Sequence, residues 1–227
     1  MKNPNGFHVD VVDVPAITKT YMSIRINVDN YEEAYDFFMS KGFRQAKGFV
    51  PNTTQSSKYA YLVSPTGTII DISEHIKKKP IDTQNGSVIK NNENIFTGGN
   101  SMKITTFNPQ IITKDAEPLV KLFEELGFEK KHNPTGIGEL DVTGIRMKDK
   151  NGFALDLSVP NADIPQDITS IRMNVDNFDE AYELLVSHGF KNYYGDHIVE
   201  RDSSKSALMI APSGFSINLV QHIKDHD

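Results

Sequence analysis

The chain has 227 residues, of which 38% are hydrophobic and 24% are charged, and its net charge is −6. This composition is typical of a globular protein that buries a core, and the mild negative charge argues against a basic nucleic-acid-binding face. There is no cysteine, which excludes disulfides, thiolate catalysis and thiolate-bound zinc.

Targeting signals are also missing from the sequence pattern. No apolar run approaches the roughly 20 residues that a membrane-spanning helix needs. The first six residues, MKNPNG, contain no apolar segment of the kind found in signal peptides. We therefore expect a cytoplasmic protein that binds neither membrane nor nucleic acid.

The first predicted element is a strand at residues 5–14. Its beginning, NGFHVD at residues 5–10, is similar to NGFALD at residues 151–156, where the offset is 151 − 5 = 146. In the later copy this motif opens the last strand of a repeated module. The pattern thus predicts a stray last strand whose own module is missing.

The second predicted element is a complete module at residues 20–77. Its segment SIRINVDN at residues 23–30 returns as SIRMNVDN at residues 170–177, so the offset is 170 − 23 = 147. The same register holds without a gap up to His75 and His222. Agreement over this length predicts that the two segments share one fold.

Residues 80–101 interrupt the pattern. They are rich in Asn, Gly and Ser and end in GGNS, which is typical of a linker. Met102 then opens a new module. One hypothesis is that a truncated copy was fused in frame to an intact neighbour.

Two further modules follow, at residues 102–160 and 168–224. A weaker sequence similarity relates these two modules to each other. It is marked by Gly-Phe pairs that begin at Gly127 and Gly189, so the offset is 189 − 127 = 62. In the last module, polar and apolar residues alternate over 170–175, which predicts a half-buried strand. Asn177 is a suitable helix cap and Gly189 a suitable helix stop.

Three more strands are predicted near residues 191–199, 205–211 and 215–222. Each module is therefore β-α-β-β-β, and the fold class is α+β. A helix covers one face of each sheet, while the other face is unusually polar. That polar face either meets solvent or forms a cleft for a ligand.

Paired βαβββ modules with Asp-Asn before the helix and Gly-Phe after it resemble the vicinal oxygen chelate superfamily. This superfamily includes glyoxalase I, bleomycin resistance proteins and extradiol dioxygenases. The resemblance implies modules paired into a curved mixed sheet around a cleft. It also implies an incomplete domain at residues 1–79 and a complete two-module domain at residues 102–227.

Metal-using members of that superfamily take four ligands, His or Glu, from the first and last strands of two sister modules. The equivalent positions of this chain are Asn108, Asp156, Ser170 and Asn218. One carboxylate and three weak neutral donors are a poor set for a catalytic cation, so no metal cofactor is expected.

Other polar residues are expected to line the same cleft. By alternation Arg172 and Asn174 share the face of Ser170, and Arg146 lies in a similar context in the sister module. A cleft arginine holds either a carboxylate or phosphate ligand or a structural partner such as Asp156 or Glu139. His222 follows the last strand, where it is either a general acid–base group or a surface histidine. A second cleft is predicted in the N-terminal copy, with the members Asp10, Ser23, Arg25 and Asp71.

Three functions remain open from the sequence. The first is a protein similar to bleomycin resistance proteins that binds a small molecule without the usual metal. The second is a metal-dependent lyase or dioxygenase that uses Zn, Ni, Mn or Fe on relocated ligands such as Asp156, Glu139 or His222. The third is an assembly role as a homodimer, because the N-terminal module lacks a full sister.

Overall fold

The computed structural model describes residues 1, 7–11, 20–47, 52–53, 56–76, 102–136, 141–201 and 203–223. The predicted linker and Glu139 lie outside these residues. The chain divides into two compact units. Unit 1 comprises Met1–Ser23, Thr66–Thr68 and Lys103–Asp227, and unit 2 comprises Ile24–Pro65 and Ile69–Met102.

Unit 2 contains one βαβββ module. Its elements are β1 (Ile24–Asn27), α1 (Tyr31–Ser40), β2 (Arg44–Gln45), β3 (Asn52–Thr53), β4 (Ser57–Val63) and β5 (Ile69–His75). The short strands β2 and β3 both pair with β4 and together take the place of one strand of the module. The five strands form one sheet in the order β1-β5-β4-β2, with β3 beside β4. The pair β1–β5 is parallel and the remaining pairs are antiparallel.

Local sequence explains the helix and core of unit 2. The Asn30 side chain caps α1 by accepting a hydrogen bond from the backbone N–H of Glu33, at 3.2 Å. Phe38 of α1 is fully buried, as are Leu62 and Ile70 of the sheet. The helix therefore covers one sheet face, and the polar residues of β1 and β5 occupy the other.

Unit 1 contains two modules. The first consists of β6 (Ile104–Ile112), α2 (Glu117–Glu125), β7 (Phe128–His132), β8 (Thr143–Asp149) and β9 (Ala154–Val159). The second consists of β10 (Ile168–Val175), α3 (Phe178–Ser187), β11 (Lys191–Asn192), β12 (Val199–Arg201), β13 (Ser204–Ile210) and β14 (Ser216–His222). All strands join one nine-stranded sheet in the order β11-β13-β14-β10-β6-β9-β8-β7, with β12 beside β13.

The two modules of unit 1 meet through their first strands. Strands β6 and β10 run antiparallel, with Asn108 opposite Arg172 and Gln110 opposite Ser170. The offset of 62 relates Asn108 to Ser170 (170 − 108 = 62) and Gln110 to Arg172 (172 − 110 = 62), so each of the two pairs is the repeat copy of the other. The modules are therefore related by an approximate two-fold axis between β6 and β10. The predicted α+β class and the paired βαβββ modules are confirmed.

The helices of unit 1 pack on the apolar face of this sheet. Met173, Val175 and Leu219 are buried, as are Phe178 and Ala181 of α3. The alternation predicted for β10 is thus confirmed, since its polar residues occupy the opposite face. Asn177 caps α3 as predicted by accepting from the backbone N–H of Glu180, at 3.2 Å.

One predicted strand is wrong. The segment near 191–199 forms two short strands, β11 and β12, separated by a turn. Asn192 is the physical reason, because its side chain donates to the carbonyl of His197 at 2.7 Å and accepts from the N–H of Tyr194 at 3.2 Å. An asparagine that bonds its own backbone two residues on favours a turn over a continuous strand.

Of the predicted leading strand at 5–14, the structure describes residues 7–11, where only His8 forms a β-bridge.

The three helices that are described have 9 or 10 residues each, about 15 Å in length. None of them is long and apolar enough to span a bilayer.

Candidate functional site

The polar face of the unit 1 sheet brings together the four positions that correspond, by the resemblance, to the metal ligands of the vicinal oxygen chelate superfamily. Asn108, Asp156, Ser170 and Asn218 come from the adjacent strands β6, β9, β10 and β14. Asn108, Asp156 and Ser170 are buried, with relative exposures of 8%, 5% and 0%, whereas Asn218 is half-buried. Strand register thus places these residues in one continuous polar cluster.

Asp156 is the centre of an ion pair within this cluster. Arg146, directly opposite on β8, donates from Nε to Oδ1 of Asp156 at 2.9 Å and from Nη2 to Oδ2 at 3.3 Å. Asn108 donates from Nδ2 to the same Oδ2 at 3.1 Å. The Asp156 carboxylate therefore accepts three hydrogen bonds, two of them in the bidentate arrangement that suits a guanidinium.

The neutral members of the cluster are also engaged. The Ser170 hydroxyl donates to the carbonyl of Ser216 at 3.3 Å. Asn218 donates from Nδ2 to Oε1 of Gln110 at 3.0 Å, and Gln110 donates from Nε2 to the Ser158 hydroxyl at 2.7 Å. These bonds tie β14, β6 and β9 together across the polar face.

Gln110 is a central residue that the sequence reasoning missed. It is 2% exposed and lies opposite both Ser170 and Asp156. The available signal was the offset of 62, which makes Gln110 the counterpart of Arg172 in the sister module.

Arg172 has a different environment from Arg146. Its Nε donates to Oδ1 of Asn174 at 3.2 Å, and its terminal nitrogens make no hydrogen bond to any residue that the structure describes. Burial lowers the pKa of the Arg172 guanidinium, the charge of Asp156 opposes that shift, and the charge of Arg146 adds to it. Arg172 therefore presents a partly desolvated cation on the polar face.

His222 is not part of this cluster. It ends β14 about 13 Å beyond Asn218 along the strand, and it is exposed. Glu139 lies outside the described residues. Within the described parts of the chain, no three His, Cys, Asp or Glu side chains gather in a way that could hold a metal ion.

The four superfamily-equivalent positions do not fit a divalent cation as they are arranged. Asp156 is their only carboxylate, and it is already bound by Arg146 and Asn108. The remaining groups are two amides and a hydroxyl, which are weak ligands for the borderline metals that bind imidazole and carboxylate.

A contact between the two modules of unit 1 lies near the ends of this sheet. Arg201 of β12 donates from Nη2 to the carbonyl of Gly136, which belongs to the connection between β7 and β8. Because β14, β10, β6 and β9 separate β13 from β8 in the sheet, this bond joins a strand at one end of the sheet to a connection at the other end. A sheet that curves around its polar face would bring such ends together.

Unit 2 repeats part of this arrangement. Arg25 lies opposite Asp71 and donates from Nε to Oδ2 of Asp71 at 2.7 Å. The nearby Tyr61 has a raised pKa, first because of burial and then because of the Asp71 charge. Ser23 and Asp10 belong to unit 1, so the second cleft remains a prediction.

A separate shallow groove lies at one edge of the unit 1 sheet and has a volume of about 500 Å³. Its lining is Gly189, Lys191, Asn192, Tyr193, Ile210, Ala211 and Pro212. Lys191 is the only charged residue among the described residues of that lining, which contain no counterpart to the arginine–carboxylate cluster.

Neither a protein-family model nor a curated protein sequence matches the chain. Solved structures do match it. A mutant of glyoxalase I from Zea mays aligns with a TM-score of 0.53 and 11% identity, covering 92% of this chain and 70% of that one. A mutant of 4-hydroxymandelate synthase from Streptomyces coelicolor aligns with a TM-score of 0.50 and 10% identity, covering 90% and 72%. The chain therefore has the vicinal oxygen chelate fold.

Proposed function

We propose that the chain binds a small organic molecule on the polar face of the unit 1 sheet, without a divalent metal at the superfamily-equivalent positions. The observation that supports this proposal is the bonding of Asp156. Its Oδ2 accepts two hydrogen bonds and its Oδ1 accepts one, from Arg146 and Asn108. Three of the roughly four lone-pair positions of the carboxylate are therefore occupied, so a metal would have to displace a donor or bind at the remaining position beside the Arg146 guanidinium.

Electrostatic repulsion raises the free energy of placing a metal ion on Asp156. A divalent ion on Asp156 would lie beside the Arg146 guanidinium. Two unit charges of like sign about 4 Å apart repel by about 4 kcal/mol near a protein surface. The doubled charge of the ion increases this repulsion, and Arg172 adds to it because its charge already interacts with that of Arg146.

The same face has features that suit an organic ligand. Arg172 supplies hydrogen-bond donors, while Asn174 and Asn218 supply amides that can both donate and accept. Binding sites in proteins commonly place a few converging polar groups on a concave surface. The curved sheet of the vicinal oxygen chelate fold, with its polar face on the inside, would provide a concave surface of this kind.

A ligand screen with and without a chelator tests the proposal. Small molecules are screened for thermal stabilisation of the full chain, and hits are mapped by amide chemical shifts. We expect hits whose stabilisation is the same in EDTA and whose shift changes lie on β6, β9, β10 and β14. Stabilisation that requires added Mn²⁺, Ni²⁺ or Zn²⁺ would instead favour a metal-dependent lyase or dioxygenase.

We also propose that two copies of the chain associate through β1. Among the described residues, β1 pairs with β5 alone, whereas the equivalent β10 pairs with both β14 and β6. Ser23 is exposed while its counterpart Ser170 is fully buried, and Ile26 is half-buried while its counterpart Met173 is 7% exposed. These differences are those expected for a module that lacks a sister strand.

A further inference from the structure

The repeat supplies an internal comparison for Arg172. Arg25 and Arg172 occupy equivalent positions, since 172 − 25 = 147, and each lies opposite a residue of the last strand of its module. Opposite Arg25 is Asp71, which accepts its hydrogen bond at 2.7 Å. Opposite Arg172 is Asn218, an amide without charge. Arg172 therefore has the same positive charge as Arg25, but the position opposite it carries an amide in place of the carboxylate.

No other carboxylate in the described part of the cluster replaces that partner. Asp156 is the counterpart of Asn218 in the sister module, and it is bound to Arg146. The counterpart of Arg172 there is Gln110, which is neutral. Among the residues that the structure describes, the cluster thus contains two guanidinium groups and one carboxylate, which leaves one positive charge at Arg172.

The orientation of Arg172 suits the binding of an anion. Its Nε donates to Oδ1 of Asn174 at 3.2 Å. The two terminal nitrogens, Nη1 and Nη2, lie side by side at the end of the guanidinium and have no acceptor among the described residues. A partly buried cation without a counter-ion is costly, and an incoming anion relieves that cost. Two parallel N–H groups match the two oxygens of a carboxylate.

We infer that the ligand of this polar face is a small organic acid with a single negative charge, whose carboxylate binds the terminal nitrogens of Arg172. This inference rests on the proposed function and adds the chemical class of the ligand. A single charge balances the cluster. Asn218 lies directly opposite Arg172 and is placed to donate a further hydrogen bond, provided that its amide leaves Gln110.

The test uses benzoate as the probe and benzamide as its uncharged analogue of nearly the same shape. Both are titrated into the isotope-labelled full chain, and binding is followed by amide chemical shifts. We expect benzoate to bind about tenfold or more tightly than benzamide, with shift changes on β10 and β14. Inorganic phosphate, which is largely doubly charged above neutral pH, should bind less tightly than benzoate.

Three variants locate the interaction. Arg172→Met removes the cation and should weaken benzoate binding about tenfold or more. Asn218→Asp recreates the ion pair that Arg25 makes with Asp71, so it should weaken benzoate binding by a similar factor while Arg172 is retained. Lys114→Met is the control, because it removes a charge whose side chain is 73% exposed, and it should leave binding unchanged.

The amide spectrum of each variant also reports whether it is folded, and Arg172→Lys provides a conservative fourth variant. Lysine keeps the positive charge but lacks the two parallel N–H groups of the guanidinium, so this variant should bind benzoate with intermediate affinity. Equal binding of benzoate by wild type and Arg172→Met would overturn the inference, as would tighter binding of benzamide or phosphate. If neutral hits of the screen map to the same strands, the proposed function survives that failure. Hits that map elsewhere would overturn both.

Discussion

Asp156 is the residue on which the polar cluster depends most, because it is the single anion near two arginines in the regions that the structure describes. The variant Asp156→Asn keeps the size of the side chain but removes the charge that binds Arg146 and attracts Arg172. We expect unfolding free energy to fall by about 1–3 kcal/mol, measured by urea denaturation. Arg146 is one third exposed, which keeps the loss below that of a fully buried pair.

A matched control for this variant is Asp163→Asn. Asp163 is 92% exposed and makes a long contact of 3.4 Å with Nζ of Lys114. Exposed ion pairs contribute little, so its loss should change stability by no more than about 0.5 kcal/mol. Equal stability of Asp156→Asn and wild type would contradict a central role for Asp156.

The proposed block on metal binding can be tested by restoring the ligands typical of the superfamily. A triple variant with Asn108→His, Ser170→His and Asn218→Glu supplies imidazole and carboxylate donors around Asp156. We expect it to bind Ni²⁺ at least about tenfold more tightly when Arg146→Met is added, because this change releases Asp156 and removes a neighbouring cation.

Isothermal titration of the triple and quadruple variants measures that difference directly. Far-ultraviolet circular dichroism is the control for folding of both proteins. Equal Ni²⁺ affinity in the two would mean that Arg146 does not limit access to Asp156, which would remove the support for a metal-free site.

At the scale of elements, the helix ends allow a sharp comparison. Gly127 and Gly189 follow α2 and α3 at equivalent positions, with φ of +89° and +84°. A Cβ at Gly189 would lie 3.2 Å from Cγ of Pro212, whereas a Cβ at Gly127 would meet nothing within 4 Å. Gly127→Ala should therefore cost about 1 kcal/mol for backbone strain, and Gly189→Ala about 1 kcal/mol more for crowding. Thermal unfolding of both variants checks the order, and the reverse order would contradict it.

Elements whose patterns are local were predictable from the sequence. Strand β10 and helix α3 followed from alternation at 170–175 and from the cap at Asn177, because both signals depend on neighbouring residues alone. The break between β11 and β12 was not predicted, since the side chain of Asn192 competes with the strand by bonding its own backbone.

The candidate site was predictable as a face but not as a set of bonds. Alternation placed Ser170, Arg172 and Asn174 together, and the resemblance to the superfamily singled out Asp156 and Asn218. Which arginine binds Asp156 depends on strand register, which alternation alone does not specify. Arg146 lies opposite Asp156 on the neighbouring strand β8, whereas β6 separates the Arg172 strand β10 from β9. The sequence therefore left Arg146 and Arg172 equivalent, whereas the structure pairs only Arg146 with Asp156 through hydrogen bonds.

At the scale of the whole molecule, three modules cannot all be paired within one chain if pairing occurs between first strands. Strands β6 and β10 pair with each other. Strand β1 has β5 as its one strand partner in the described parts of the chain. An edge strand with half-buried isoleucines invites a second copy. A two-fold axis at β1 would reproduce the antiparallel pairing of β6 with β10.

The variant Asn27→Pro tests this association. The backbone N–H of Val28 donates to the carbonyl of Ser73 on β5, so by alternation the N–H of Asn27 points to the outer edge of β1. Proline removes that outward donor and leaves the pairing with β5 intact. We expect wild type to sediment as a dimer, Asn27→Pro to shift towards monomer, and Asn27→Ala to remain dimeric because it keeps the N–H. A wild-type chain that sediments as a monomer over the whole accessible concentration range would refute the proposed dimer, and equal dimerisation of all three proteins would move the interface away from β1.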